Sequence, residues 1–232
     1  MMQLIEENGL YFLVGAYPRG PLGGLALTVV LAGAGLLLAS PLGLVLGLAR
    51  VSRWRALRAA VAALITVVRG VPLLMVVFWA YFFLPTVTGV RAGAFATMLG
   101  ALVVFDAVYL AEIVRAGIEA VPRGQVEAAR ALGLDGPATL RAVVLPQALR
   151  NVLPSLVSQL GATIKETSLG YVIGLSEASF VASQINTQLM TRPAEVYGVL
   201  ALSYLALCSG LSAFARALER RLGGGARAEG AP

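Results

Sequence analysis

A chain of 232 residues, 58% hydrophobic and 13% charged, holds about half the charge of a soluble domain, which runs near 25%. Its net charge of +6 lies in arginines that flank apolar runs, which suits snorkelling and membrane orientation better than a nucleic-acid face. There is no histidine and one cysteine, Cys208, so an internal disulfide is excluded and nothing is spaced like a metal site.

Residues 1–21 are mixed in character, and their apolar patch, Leu10 to Val14, is too short to cross a bilayer. They read as an extracytoplasmic or interfacial segment. Glu6 and Glu7 stand where a signal peptide has a basic region, so no cleavable signal is expected. Leu22 to Ala49 is uncharged and predicts a first span, closed by Arg50, Arg53, Arg55 and Arg58. Gly43 and Gly47 form a GxxxG pattern, a weak signal in a glycine-rich chain. A second apolar region, Ala59 to Leu84, is broken at Arg69-Gly70-Val71-Pro72, where Pro72 predicts a kink. Arg69 there can snorkel or satisfy freed carbonyls. Trp79, Tyr81, Phe82 and Phe83 read as an interfacial aromatic belt, and 85–93 as a turn.

The third predicted span, Phe95 to Val114, carries Asp106 near its middle. Glu112, Arg115 and Glu119 then recur at helical spacing, which predicts a ladder of paired charges. A fourth span, about Val152 to Leu175, contains Lys165 and Glu166. Ser176 to Ala194 reads as a polar connection and Val196 to Ala215 as a fifth span, followed by Arg216, Arg220 and Arg221. The Gly/Ala-rich residues 223–232 predict a disordered cytoplasmic tail. The expected fold is thus an all-α membrane protein of about five transmembrane helices occupying 22–222. Arginine-rich loops alternate with arginine-poor ones, which predicts the N-terminus outside and the C-terminus in the cytoplasm.

Between the third and fourth spans lies GQVEAARALGLDGPATLRAVVLP (124–146), polar and basic. Pro122 suits a first helical turn, Gly133 a left-handed helix end, and Asp135 or Gly136 a cap for a second helix with Pro137 in its first turn. Two short helices at a tight turn, tethered to spans, make a knob. The small residues Ala128, Ala129 and Ala131 would let another surface come close. A plain connector and a DNA-reading helix-turn-helix are the competing readings, and the tethering and small-residue face weigh against both.

Ionisable groups at membrane depth are functional candidates by default. Asp106 could receive a substrate ammonium group or pair with a cation on another helix. Lys165 is the only lysine, and with Glu166, Thr167 and Ser168 it offers both signs and two hydroxyls, which suits a zwitterion. The bland reading is a Lys165–Glu166 pair lining a wet cavity. No GxxxxGK[ST] loop and no nucleophile–base pair is present, so any ATP-driven step would need another polypeptide.

Glu127-Ala128-Ala129, Gly133 four positions on, and Val143-Val144-Leu145-Pro146 resemble the EAA loop of bacterial ABC-importer permeases. Gly124-Gln125, Gln147-Ala148, RGVPLL (69–74), YLAEIVRAGI (109–118) and KETSL (165–169) are similar to the branch that imports polar amino acids. The resemblance covers about 22–222 and implies the type I importer architecture with an EAA coupling loop at 122–146. In that loop, Gly124, Gln125, Glu127, Ala128, Ala129, Gly133, Leu145 and Pro146 would meet the ATPase. It also implies a dimer of ABC ATPase subunits carrying ATP and magnesium, a second permease chain identical or similar to this one, and a free or lipid-anchored binding protein. The expected location is the bacterial inner membrane, with no cofactor or catalysis in this chain and no nucleic-acid partner. By the same resemblance Glu166, rather than Lys165, is the expected direct ligand. VRGVPLLMVVFWAYFFLP looks most like permeases for glutamate and aspartate, whereas the formal charge of Asp106, Lys165 and Glu166 together would suit arginine or lysine. An ion-coupled secondary transporter using Asp106 and Glu166 is the alternative mechanism.

Overall fold

Small residues decide how the helices meet. In the computed structural model, which describes residues 2–223, α2 (Gly24–Arg50) buries Thr28, Ala32, Gly35, Ala39, Gly43 and Gly47. The same helix leaves Leu37, Leu38 and Val45 more than half exposed. Large apolar side chains outside and small ones inside is the pattern of a helix solvated by lipid. Gly35, Ala39, Gly43 and Gly47 form one stripe four residues apart, and α6 (Ala94–Glu119) lies against it. A Cβ on Gly35 would sit 3.3 Å from Leu102, on Gly43 2.5 Å from Leu110, and on Gly47 2.7 Å from Val114. Each pair has the same offset of 67 positions, so α2 and α6 run parallel. The weak GxxxG signal marks a true close approach.

Parallel neighbours require the chain to return between them, and α3 (Arg55–Gly70) with α4 (Leu73–Phe78) begins that return. The break at Gly70–Pro72 is sharper than the expected kink, with the pair bent by 90°. Pro72 supplies no N–H and disfavours helical geometry before it, and Val71 is extended at ψ 130. A π-helical turn, Trp79–Phe83, and α5 (Leu84–Thr88) follow. The expected turn is therefore helical at its start, ending at Gly89 with φ 73. Trp79, Phe82 and Phe83 are exposed.

Beyond α6 come α7 (Arg123–Ala131), α8 (Gly136–Thr139), a π-helical turn (Leu140–Val144) and α9 (Leu145–Glu166). A 3₁₀ segment (Thr167–Ile173), α10 (Ala178–Leu189) and α11 (Pro193–Gly223) complete the chain. The second helix of the knob is thus the leading turn of α9 rather than a free-standing element. The polar connection predicted at 176–194 is largely α10, whose Val181, Ala182 and Ile185 pack with Phe12 of α1 (Met2–Val14). Tyr11 also donates to Gln184 at 2.6 Å, so the N-terminal segment is helical and docked. α11 continues to Gly223, and 224–232, where a tail was expected, lie outside the described residues.

Among the described residues three helices, α2, α6 and α11, are long and apolar enough to cross a membrane, or four if the bent pair is one span. The fourth span expected from sequence, α9, has the length but is too polar to count by composition. It runs antiparallel to α6, with Asp106 beside Gln159 and Gly117 beside Val152.

The stripe on α2 makes a direct prediction. Gly47→Leu should lower the melting temperature of the detergent-solubilised protein, with overpacking costing about 1–3 kcal/mol. Gly33→Ala, whose Cβ meets nothing within 4 Å, should leave it unchanged or raise it.

Candidate functional site

Helical periodicity divides the ionisable cluster of α9 among three surroundings. Lys165 and Ser168, three apart, face α11 and line a cavity of about 310 Å³ with Ser179, Tyr197, Leu200, Ala201 and Tyr204. Ser168 donates to the Lys165 carbonyl at 2.6 Å, which directs its lone pairs away from the backbone. Thr167 is fully buried and donates to the Ile164 carbonyl at 2.7 Å, outside this cavity. Glu166 continues the stripe of Gln159 and Thr163 that faces α6. Its Oε2 is buried without a hydrogen-bond partner.

Asp106 is fully buried at the α6–α9 contact. Gln159 donates to it at 2.8 Å, and Thr163 donates at 2.9 and 3.1 Å to its two oxygens. Among the described residues no cation pairs with it; α9 supplies an amide and a hydroxyl instead. Buried carboxylates of this kind are expensive unless their acceptor sites are filled. The five residues predicted from sequence therefore divide, with Asp106 and Glu166 near each other on the α6 side, while Lys165 and Ser168 alone among them line the cavity.

The cavity has a support that the sequence reading missed. Glu177, fully buried, caps α10 by accepting the N–H groups of Ser179 and Phe180, each at 2.9 Å. Tyr204 also donates to Glu177, at 3.2 Å. Its hydroxyl proton being committed there, Tyr204 offers the cavity an acceptor. The Gly24 N–H donates to the Ser176 carbonyl and the Ala178 N–H to Thr28, so the start of α2 braces the same corner. Little in the sequence marked it, since glutamate is not among the side chains that usually cap a helix.

At the other end of α9, the 122–146 stretch folds as Gly133 and Asp135 predict, while Pro122 is the cap just before α7 rather than part of its first turn. Gly133 takes φ 83, and Asp135 accepts the Ala138 N–H at 2.8 Å. Val126 and Leu140 pack on Val121, Val144 and Ala148, which seats α7 on the adjoining ends of α6 and α9. Gly124, Gln125, Glu127, Ala128, Gly133 and Pro146 are exposed, and Leu132 is 83% exposed. Ala129 is buried against the chain itself and Leu145 is half-buried, so the small-residue face available to another surface is Ala128 with Ala131. Above this knob stands the predicted ladder. Arg115 contacts Glu112 at 2.9 Å and Glu119 at 2.6 Å, and Arg50 of α2 joins it at 3.0 Å.

Residues 39–224 match the family described as binding-protein-dependent transport system inner membrane component. The chain is 36% identical over 214 residues to the probable glutamine ABC transporter permease protein GlnP of Bacillus subtilis, covering 90% of this chain and 98% of that one. It is 37% identical over 193 residues to the glutamate transport system permease protein GluD of Corynebacterium glutamicum, covering 82% and 70%. A solved structure described as an amino acid ABC transporter with histidines superposes with TM-score 0.84 and 30% identity, over 95% of this chain and 97% of that one.

If Asp106 locks α6 to α9, Thr163→Val should lower thermal stability by about 1–3 kcal/mol, the cost of leaving a buried acceptor short of a donor. Substrate affinity of the surviving protein should not move. A changed affinity with unchanged melting would place Asp106 on a substrate path instead.

Proposed function

This chain belongs to the family of binding-protein-dependent transport system inner membrane components, and we propose that it is the transmembrane subunit of an ATP-driven importer of polar amino acids. The type I importer fold supports this, as do the glutamine and glutamate permeases it resembles. The observation that carries the reading is the α7 knob: a small helix held rigidly where α6 and α9 meet, with Glu127, Ala128 and Leu132 facing outward. In the proposed orientation the N-terminus is outside and the knob in the cytosol, where arginine-rich loops belong. A dimer of separate ATPase subunits, holding ATP and magnesium, grips it through Gly124, Gln125, Glu127, Ala128 and the Gly133 turn. Pro146 flanks that contact, while Ala129 and Leu145 hold the knob from within. Two permease chains, identical or similar, form the pathway, and a binding protein delivers substrate from outside.

Substrate passes the cavity beside α11. Lys165 receives its carboxylate, while Ser168 and Tyr204 accept from its ammonium group. Glu166 faces the α6 side of the path, and Asp106 and Thr167 hold the helix that carries Lys165. The cavity lining includes one cation and no carboxylate, which favours glutamate, aspartate or their amides over arginine and lysine.

The test is uptake into proteoliposomes containing the permease, its ATPase and its binding protein. Uptake should require ATP and persist when ion gradients are collapsed. Gly133→Val, which forces a β-branched residue to φ 83, should reduce both uptake and ATPase co-purification about tenfold, the equivalent of about 1.4 kcal/mol. Lys165→Met should reduce uptake while leaving the ATPase bound. Uptake that follows a proton or sodium gradient without ATP would make the chain a secondary carrier.

A further inference from the structure

A second and larger cleft, of about 490 Å³, opens between α2, α3 and α6, lined by Arg50, Ile65, Thr66, Arg69, Tyr109 and Glu112, with Ala62 and Gly70 completing it. It is separate from the Lys165 cavity and shares no residue with it. Its distinctive group is Arg69. The guanidinium lies 4.9 Å from the centre of the Tyr109 ring, and no side-chain carboxylate or carbonyl among the described residues accepts its N–H groups. Arg50, by contrast, is engaged at 3.0 Å by Glu112, and Glu112 is also held by Arg115 at 2.9 Å. The one carboxylate in the cleft is therefore shared between two guanidiniums, and Arg69 is left with unspent positive charge and a planar fork of donors.

The rest of the lining is amphipathic. Ile65, Ala62 and Gly70 give an apolar wall, Thr66 is exposed, and its hydroxyl donates to the Ala62 carbonyl at 2.9 Å. α3 touches the bundle through Val61, Ile65 and Val68 against Leu46, Ala49, Val108 and Ala111. The mouth of the cleft, at Arg50 and Glu112, lies where the charged residues of α2 and α6 begin, and Tyr109 stands one helical turn deeper. A guanidinium over an aromatic ring, above an apolar wall, matches a phosphodiester carrying acyl chains. Basic pockets between spans on the cytoplasmic side bind anionic headgroups for this reason.

We propose that the α2–α3–α6 cleft binds the phosphate headgroup of an anionic lipid through Arg69, with Arg50 beside it. Its assignment to the inner leaflet rests on the orientation proposed above, whereas binding itself does not. Occupancy would brace α3 against the end of α6 that carries the Glu112–Arg115 ladder.

The assembled transporter, purified with its ATPase, would be placed in nanodiscs of phosphatidylcholine containing a small fraction of phosphatidylglycerol, and bound lipid counted by native mass spectrometry. Wild type should retain phosphatidylglycerol in preference to phosphatidylcholine at one site per chain. Arg69→Ala should weaken that retention about tenfold, the scale of one lost charge-assisted contact of about 1.4 kcal/mol. Arg69→Lys, which keeps charge and fold, should fall between them, and Arg19→Ala, on an exposed turn, should match wild type. Equal retention of both lipids, or retention indifferent to Arg69, would overturn the proposal. So would displacement by millimolar inorganic phosphate, which marks a free-phosphate site. Lipid bound to the isolated chain but absent from the assembly would show that a second chain covers the cleft, and would overturn it as well. None of these outcomes depends on what the transporter carries.

Discussion

The close approach of α2 and α6 is the constraint from which the rest of the bundle follows. Lipid offers no hydrophobic reward for bringing two apolar helices together, so contact depends on how much backbone surface can meet. The Gly35-Ala39-Gly43-Gly47 stripe allows that contact along the length of both helices. Because the two run parallel, the intervening chain must come back across, and the α3–α5 segment does so with a right-angle break. That break places Arg69 against Tyr109 and opens the charged cleft. A packing choice on one helix therefore creates a polar feature on two others.

The same logic separates holding from handling in α9. Its face toward α6 carries Gln159 and Thr163, which fill the acceptor sites of Asp106. Its face toward α11 carries Lys165, which lines a cavity together with Ser168 of the 3₁₀ segment that follows. A helix with polar groups on two sides cannot satisfy an apolar-span criterion, yet between α6 and α11 it has no need to. On the α6 side its polarity is matched by Asp106 rather than by water, and on the α11 side Lys165 faces the cavity.

Much of this was legible in the sequence. Apolar runs located α2, α6 and α11, and the caps at Gly133 and Asp135 were readable because a left-handed glycine and an Asx cap are local events. The Glu112–Arg115–Glu119 ladder followed from helical spacing alone. What could not be read was set by tertiary partners. α10 is polar in composition and is helical because Glu177 caps it and Phe12 packs on it. The partners of Asp106 lie 53 and 57 positions away, and no periodicity announces them. Proximity in sequence was misleading for the 165–168 stretch, because consecutive residues on a helix point about 100° apart.

That last point bears on how a push at the knob could reach a substrate. Under the proposed function, the contact surface of α7 and the Lys165 cavity lie at opposite ends of one helical path. It runs from Gly136 through the π-helical turn at Leu140–Val144 to Glu166. Gly117 pins this path to α6, since its missing side chain admits Val152 and Ala148 against the α6 backbone. Asp106 pins it again at Gln159 and Thr163, within two turns of Lys165. Between two such clamps the helix cannot slide on α6 without breaking buried hydrogen bonds, so α6 and α9 must move together as one rigid pair. Motion would then be taken up where α9 meets α11, a contact that opens into a cavity at the level of Lys165.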